Sequence, residues 1–139
     1  MERRGLDGPL REAIDAGLPV FGTCAGAILL ARGIEGSNQL RLGTLDIEIR
    51  RNAYGSQVDS FELSLDLHDP EHRLAITVDG VFIRAPLIIR TGPEVLTLAS
   101  IDGHPVLVRQ GRQLAASFHP ELTSSPAVHR YFFEQLVRT

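Results

Sequence analysis

Leu18-Pro-Val-Phe-Gly-Thr-Cys-Ala-Gly-Ala-Ile-Leu-Leu-Ala31 sets the chain's one cysteine at a strand-to-helix corner. Within it, Gly22-Thr23-Cys24-Ala25-Gly26 has the Gly-x-nucleophile-x-Gly form of a nucleophile elbow. Leu18, Val20 and Phe21 read as a short buried strand, and residues 25–31 as the helix that follows, closed by Gly33. Such a corner lifts one side chain out of the core and aims it at a substrate. Its glycines give room for the tight turn and for close packing of strand on helix. A helix N-terminus favours an anion, so the Cys24 thiol is expected to be pushed toward thiolate.

Outward from the elbow, Asp7-Gly8-Pro9 starts a short helix with Gly17 just past its end and Leu10, Ala13 and Ile14 as its buried stripe. A polar loop covers residues 34–42. From Thr44 the period changes to two: Leu45, Ile47 and Ile49 alternate with polar residues, as do Phe61, Leu63, Leu65 and Leu67. A loop holding His68-Asp-Pro-Glu-His72 ends that run. Further strands are expected at 74–78, 81–84, 95–99, 105–108 and 114–118, with a hairpin turn at Gln110-Gly111. Ser125 and Pro126 open a last helix to Val137 that buries Val128, Tyr131, Phe132 and Leu136. Helices around the elbow strand indicate a parallel α/β sheet, in which such a strand needs neighbours on both sides. Either the later strands fill both sides, or the first strands of the fold are absent from this chain.

At 139 residues the chain is expected to form one domain with a real core, and 43% hydrophobic with 22% charged residues suits an ordinary globular protein. A net charge of −3 without a run of basic residues argues against a nucleic-acid surface. No apolar stretch approaches the roughly 20 residues that span a bilayer, and Met1-Glu-Arg-Arg leads into polar residues rather than a signal-peptide core. One cysteine excludes an internal disulfide and suits a reducing, cytoplasmic compartment.

Ser117-Phe118-His119-Pro120-Glu121 closes the last expected strand. In an extended segment residues two apart point the same way, so His119 and Glu121 can face one site. A carboxylate beside an imidazole fixes its tautomer, and the imidazole can then deprotonate a thiol. An unperturbed cysteine is only about 3% thiolate at neutral pH, and a pKa near 6 would make it mostly thiolate. Taken singly, Cys24 also reads as a small buried hydrophobe, and His-x-Glu as a surface pair. Their placement at the ends of two expected strands, where open α/β sheets hold ligands, favours the joint reading. Zinc competes for a His-x-Glu, but the deaminase pattern also needs Pro-Cys-x-x-Cys, which one cysteine cannot supply. His68, His72, His104 and His129 are expected in loops or on the last helix, solvated. Arg84 interrupts an apolar run and needs an acidic partner, from the protein or from a substrate.

Gly22-Thr-Cys-Ala-Gly26 and Ser117-Phe-His-Pro-Glu-Leu122 resemble class I (triad) glutamine amidotransferases. Between them, Arg51-Asn-Ala-Tyr-Gly55, Gln57, Ser60-Phe-Glu62 and Val81-Phe-Ile-Arg-Ala-Pro86 resemble one branch, the glutaminase subunit of pyridoxal 5'-phosphate synthase (PdxT/SNO). The likeness runs from about Leu10 to Leu136. It implies a flavodoxin-like α/β sheet with flanking helices and an antiparallel extension. It also implies hydrolysis of L-glutamine to glutamate and ammonia. Cys24 would form a glutamyl thioester, His119 would serve as base and then acid, and Glu121 would orient it. The Ala25 N–H would supply part of the oxyanion hole, and Arg51, Ile83 and Arg84 would bind glutamine. The implied partner is a barrel-shaped synthase subunit that accepts the ammonia; pyridoxal phosphate is that complex's product, and no cofactor is implied for this chain. Family members begin with a further strand, a helix and a Pro-Gly-Gly-Glu-Ser loop that gives the other oxyanion N–H. The resemblance therefore implies a single amidotransferase domain, N-terminally truncated, over residues 1–139. Two other readings stand beside it: a weakly catalytic fragment acting only as a binding module, and another elbow-cysteine hydrolase.

Overall fold

The computed structural model describes residues 7–36, 41–51, 60–83 and 85–138. Helix α1 (Asp7–Asp15) leads to β1 (Val20–Thr23) and α2 (Ala25–Leu30). Then come β2 (Ala31–Ile34), β3 (Leu45–Arg50), β4 (Ser60–Asp69), β5 (Leu74–Ile83) and β6 (Leu87–Thr91). β7 (Leu96–Ile101), β8 (His104–Gln110) and β9 (Gln113–Ala116) precede a 3₁₀ turn (Pro120–Leu122) and α3 (Ala127–Tyr131), which runs into a π-helical turn (Phe132–Val137). No helix among the described residues is long and apolar enough to cross a membrane.

A four-stranded sheet, ordered β1-β9-β8-β7, is the middle layer. β1 runs parallel to β9, with Thr23 opposite Ala116; the β9–β8 and β8–β7 pairs are antiparallel. Its alternation divides the core in two. Leu107 and Leu114 join one buried cluster with Leu67, Phe82, Phe118 and Tyr131, whereas Val108 and Ala115 join another with Ile28, Leu45 and Ile47. The β4–β5 hairpin and α3 therefore cover one face, while α2 and a second sheet, ordered β2-β3-β6, cover the other. The fold is a mixed α/β one, as expected.

Several local expectations change. Helix α2 stops at Leu30, because Ala31 is already extended (φ −61°, ψ 144°) and pairs with Leu45; Gly33 lies within β2 rather than capping a helix. The elbow strand is not buried: Leu18 is exposed, and Val20 and Phe21 are half-buried. Among the described residues β1 has one strand neighbour, β9, and its other side borders an apolar groove of about 200 Å³ lined by Leu10, Ile14, Val20 and Phe21. Of the α1 stripe only Ile14 is buried. The stretches at 74–78 and 81–84 merge into β5, paired with β4 without a break from Leu74–Asp69 to Ile83–Ser60. β6 was not expected; it pairs antiparallel with β3. The Gln110-Gly111 hairpin turn is present, with Gly111 at φ 59°. The last helix buries Val128, Tyr131 and Leu136 as expected, while Phe132 is half-buried against Phe21, ring centroids 5.4 Å apart. Residues 1–6, Asn52 to Gly55, Gln57 and Arg84 lie outside the described residues.

Candidate active site

Cys24 sits between β1 and α2 with φ 47° and ψ −103°, a left-handed conformation that L-residues avoid. Two hydrogen bonds hold it: its N–H donates to the Ala116 carbonyl at 2.9 Å, and its carbonyl accepts from Ile28 N–H at 3.0 Å. The first ties the corner to the end of β9, the second to the first turn of α2. Gly22 is required by close approach: a Cβ there would lie 2.7 Å from the Gly26 carbonyl carbon and 3.0 Å from Ala27 N. The expected use of glycine for strand-on-helix contact is thus present at position 22. As the first residue of α2, Ala25 has an N–H without an acceptor inside its own helix.

The end of β9 carries the second half of the site. His119 is extended (φ −107°, ψ 95°), and Pro120 starts the 3₁₀ turn that holds Glu121. The two side chains meet through this turn rather than through strand alternation, with His119 Nδ1 2.6 Å from Glu121 Oε2. Thr123 closes the turn by donating from Oγ1 to the Pro120 carbonyl at 2.9 Å. Burial pushes the Glu121 carboxyl up, but its bond to His119, a bond from its own backbone and the nearby His119 and His129 charges hold it below the ordinary value.

The thiol departs from expectation. Burial, with the Glu121 charge adding to it, pushes Cys24 up to about 11. Its Sγ donates to the Ser117 carbonyl at 3.3 Å. This desolvation disfavours the thiolate, the opposite of the push expected from a helix N-terminus. The bonds from Cys24 to the Ala116 and Ser117 carbonyls place the corner beside the segment that leads into the His119–Glu121 turn.

β5 completes this neighbourhood. Val81 and His119 form an antiparallel bridge, with Val81 N–H to His119 carbonyl at 3.1 Å and His119 N–H to Val81 carbonyl at 2.7 Å. Ile83, two residues on, is exposed at the end of that strand. Arg51 is exposed one residue past β3. Val81 and Ser117 lie in motifs legible in the sequence, but their backbone roles are not, since a backbone partner far along the chain leaves no trace in residue type.

The other histidines divide. His68 and His104 are exposed, though each lies in a strand. His129 is exposed and packs edge-on to Phe21, ring centroids 5.5 Å apart. His72 is not merely solvated: its Nδ1 lies 2.6 Å from Oδ2 of Asp69, which is buried and also accepts from the Tyr131 hydroxyl. Among the described residues no group of three or more His, Cys, Asp or Glu side chains could hold a metal ion.

Comparison with known proteins adds to this geometry. A protein of Carboxydothermus hydrogenoformans named pyridoxal 5'-phosphate synthase subunit PdxT is 52% identical over 130 residues, covering 94% of this chain and 66% of its own length. One of the same name from Pelotomaculum thermopropionicum is 54% identical over 133 residues, covering 94% and 65%. This chain thus spans about two thirds of the length of the curated relatives it matches. A crystal structure described as glutamine amidotransferase superposes with a TM-score of 0.84 at 50% identity, covering 94% of this chain and 67% of its own. The profile of the SNO glutamine amidotransferase family matches residues 1–138, so the strained cysteine corner and its neighbouring His–Glu pair occur in a chain that belongs to that family.

Proposed function

We propose that the chain is a glutaminase that hydrolyses L-glutamine to L-glutamate and ammonia through Cys24, His119 and Glu121. The observation that carries this reading is the left-handed Cys24, held at the strand–helix corner beside the end of β9. His119 takes the Cys24 proton as Sγ attacks the side-chain amide carbon. The C–N bond breaks, ammonia leaves with the proton held on His119, and a glutamyl thioester remains. Water, deprotonated by His119, then releases glutamate and restores the thiol. Glu121 fixes the ring through Nδ1, leaving Nε2 for proton transfer. The N–H of Ala25 stabilises the oxyanion. Arg51, Ile83 and Arg84 bind the glutamine.

The relatives' name supports a place in pyridoxal 5'-phosphate synthesis; in this reading the ammonia passes to a barrel-shaped synthase subunit in the cytoplasm. A second reading, a weakly catalytic binding module, draws on the burial that pushes the Cys24 thiol up and on its hydrogen bond to the Ser117 carbonyl. Ammonia release from glutamine, measured with and without the synthase subunit, separates them. The glutaminase reading expects turnover with the partner present that disappears in Cys24→Ala. No turnover, or turnover that survives Cys24→Ala, would refute it.

A further inference from the structure

Gly80 stands inside β5, a strand interior where glycine costs stability and packs nothing. Its place is explained by Phe118. A Cβ at position 80 would lie 2.7 Å from Phe118 Cε2 and 2.8 Å from Cγ, closer than any real side chain tolerates. Phe118 cannot move away cheaply. It is fully buried, and its ring rests on Phe82 with centroids 5.1 Å apart; Phe82 in turn stacks on Phe61 at 4.8 Å, nearly parallel. The next residue on each strand, Val81 and His119, exchange the two backbone hydrogen bonds of the bridge. The residue before Phe118 is Ser117, whose carbonyl accepts from Cys24 Sγ. One seating of the Phe118 ring therefore sets both the His119 backbone and the carbonyl against which the thiol rests.

We infer that Gly80 is a positioning residue for His119: the bare backbone at position 80 lets Phe118 seat against β5, which brings Val81 into register with His119. Its catalytic consequence rests on His119 serving Cys24 as base. A methyl group at 80 forces the ring outward, because the opposing atoms belong to a locked aromatic stack and not to a flexible chain end. The displacement is passed to His119 through one peptide unit. A shift of about 1 Å at a catalytic group can cost roughly 100-fold in rate.

The test is Gly80→Ala in the full chain, with Thr77→Ala, an exposed position of the same strand, as control. Amide hydrogen exchange at Val81 and His119 and the His119 ring resonances are followed by NMR. Steady-state ammonia release is measured with the synthase subunit present. Gly80→Ala is expected to speed exchange at both amides by about tenfold or more and to shift the ring resonances. kcat should fall roughly 10- to 100-fold, with KM within about twofold. Thr77→Ala should leave all of these unchanged. Adding Phe118→Leu, which makes room for the methyl, should restore most of the protection and rate. Should Gly80→Ala not fold, Gly80→Ala/Phe118→Leu is compared with Phe118→Leu alone, and near-equality is expected. Wild-type exchange and kcat in Gly80→Ala, or a full loss that Phe118→Leu does not relieve, would overturn the inference. If the wild-type chain releases no ammonia, the glutaminase reading fails, while the NMR comparison still decides whether Gly80 positions His119.

Discussion

Two histidine–carboxylate pairs in this molecule share one geometry and differ in nearly everything else. His119 Nδ1 lies 2.6 Å from Glu121 Oε2, and His72 Nδ1 lies 2.6 Å from Asp69 Oδ2. The acid of the second pair is fully buried and that of the first is 43% exposed. Asp69 also accepts from the Tyr131 hydroxyl and lies 3.6 Å from the guanidinium of Arg109, which is itself nearly buried and bonded to Glu71. These groups join the β4–β5 turn, β8 and α3, so the pair locks three elements together. Among the described residues the His119 pair makes no such lock. It stands just past the end of β9, near Cys24, with its carboxylate open to solvent; the two histidines themselves are about equally exposed. A 2.6 Å His–carboxylate contact is therefore not a catalytic signature by itself; what differs is the exposed carboxylate and the cysteine bonded two residues away, at Ser117.

Exchanging the pairs' fates would break this comparison. The largest effect is expected from His119→Asn, which should lower ammonia release by roughly 1,000-fold and leave the denaturant midpoint close to wild type. A comparable loss of rate in His72→Asn would erase the distinction. Next comes Asp69→Ala, which leaves the Arg109 charge buried without its second carboxylate and should cost about 3–5 kcal/mol, read by urea unfolding. A cost as small as that of an ordinary surface change would show that the buried cluster holds nothing together.

Acid should sharpen the contrast. At Asp69, burial pushes the carboxyl up, but the Tyr131 and His72 bonds and the Arg109 charge outweigh it and hold the value low. A carboxylate depressed on folding contributes stability that is fully present above its unfolded value of about 3.9 and is lost as pH falls through the lower folded value. Unfolding free energy should therefore drop below about pH 4 in the wild type and drop less in Asp69→Asn. Glu121→Gln should change that acid limb much less. The smallest effect is expected from His72→Asn, about 1–2 kcal/mol, with ammonia release unchanged.

How much of this was legible in the sequence follows from the range of each interaction. The elbow announces itself within five residues, although only Gly22 answers a steric need there, since a Cβ at Gly26 would meet open space. The His-x-Glu pair is equally local, although a 3₁₀ turn and not an extended strand brings the side chains together. Alternation in β3 and β4 is plain in the sequence; β3 buries its apolar face throughout, whereas β4 buries Leu65 and Leu67 but leaves Phe61 and Leu63 exposed. β6 was hidden: Leu87 and Ile88 follow Ala85-Pro86 without alternation, and only the pairing with β3 makes them a strand. Asp69 looked like part of a polar loop because Tyr131 and Arg109, which need it, lie far along the chain. The direction of the Cys24 shift was misjudged for the same reason. A helix end can be read from the sequence, but the desolvation that outweighs it comes from the surrounding fold.

Cys24 is proposed to attack glutamine, with His72 and Asp69 only holding the fold. The most direct test is acid quenching of the chain with synthase subunit during turnover of isotopically labelled glutamine, followed by mass spectrometry of the Cys24 peptide. A labelled glutamyl thioester on Cys24 in the wild type and in His72→Asn, absent in Cys24→Ala, is the expected result. Continued ammonia release with no adduct on Cys24, or with Cys24 replaced, would contradict it.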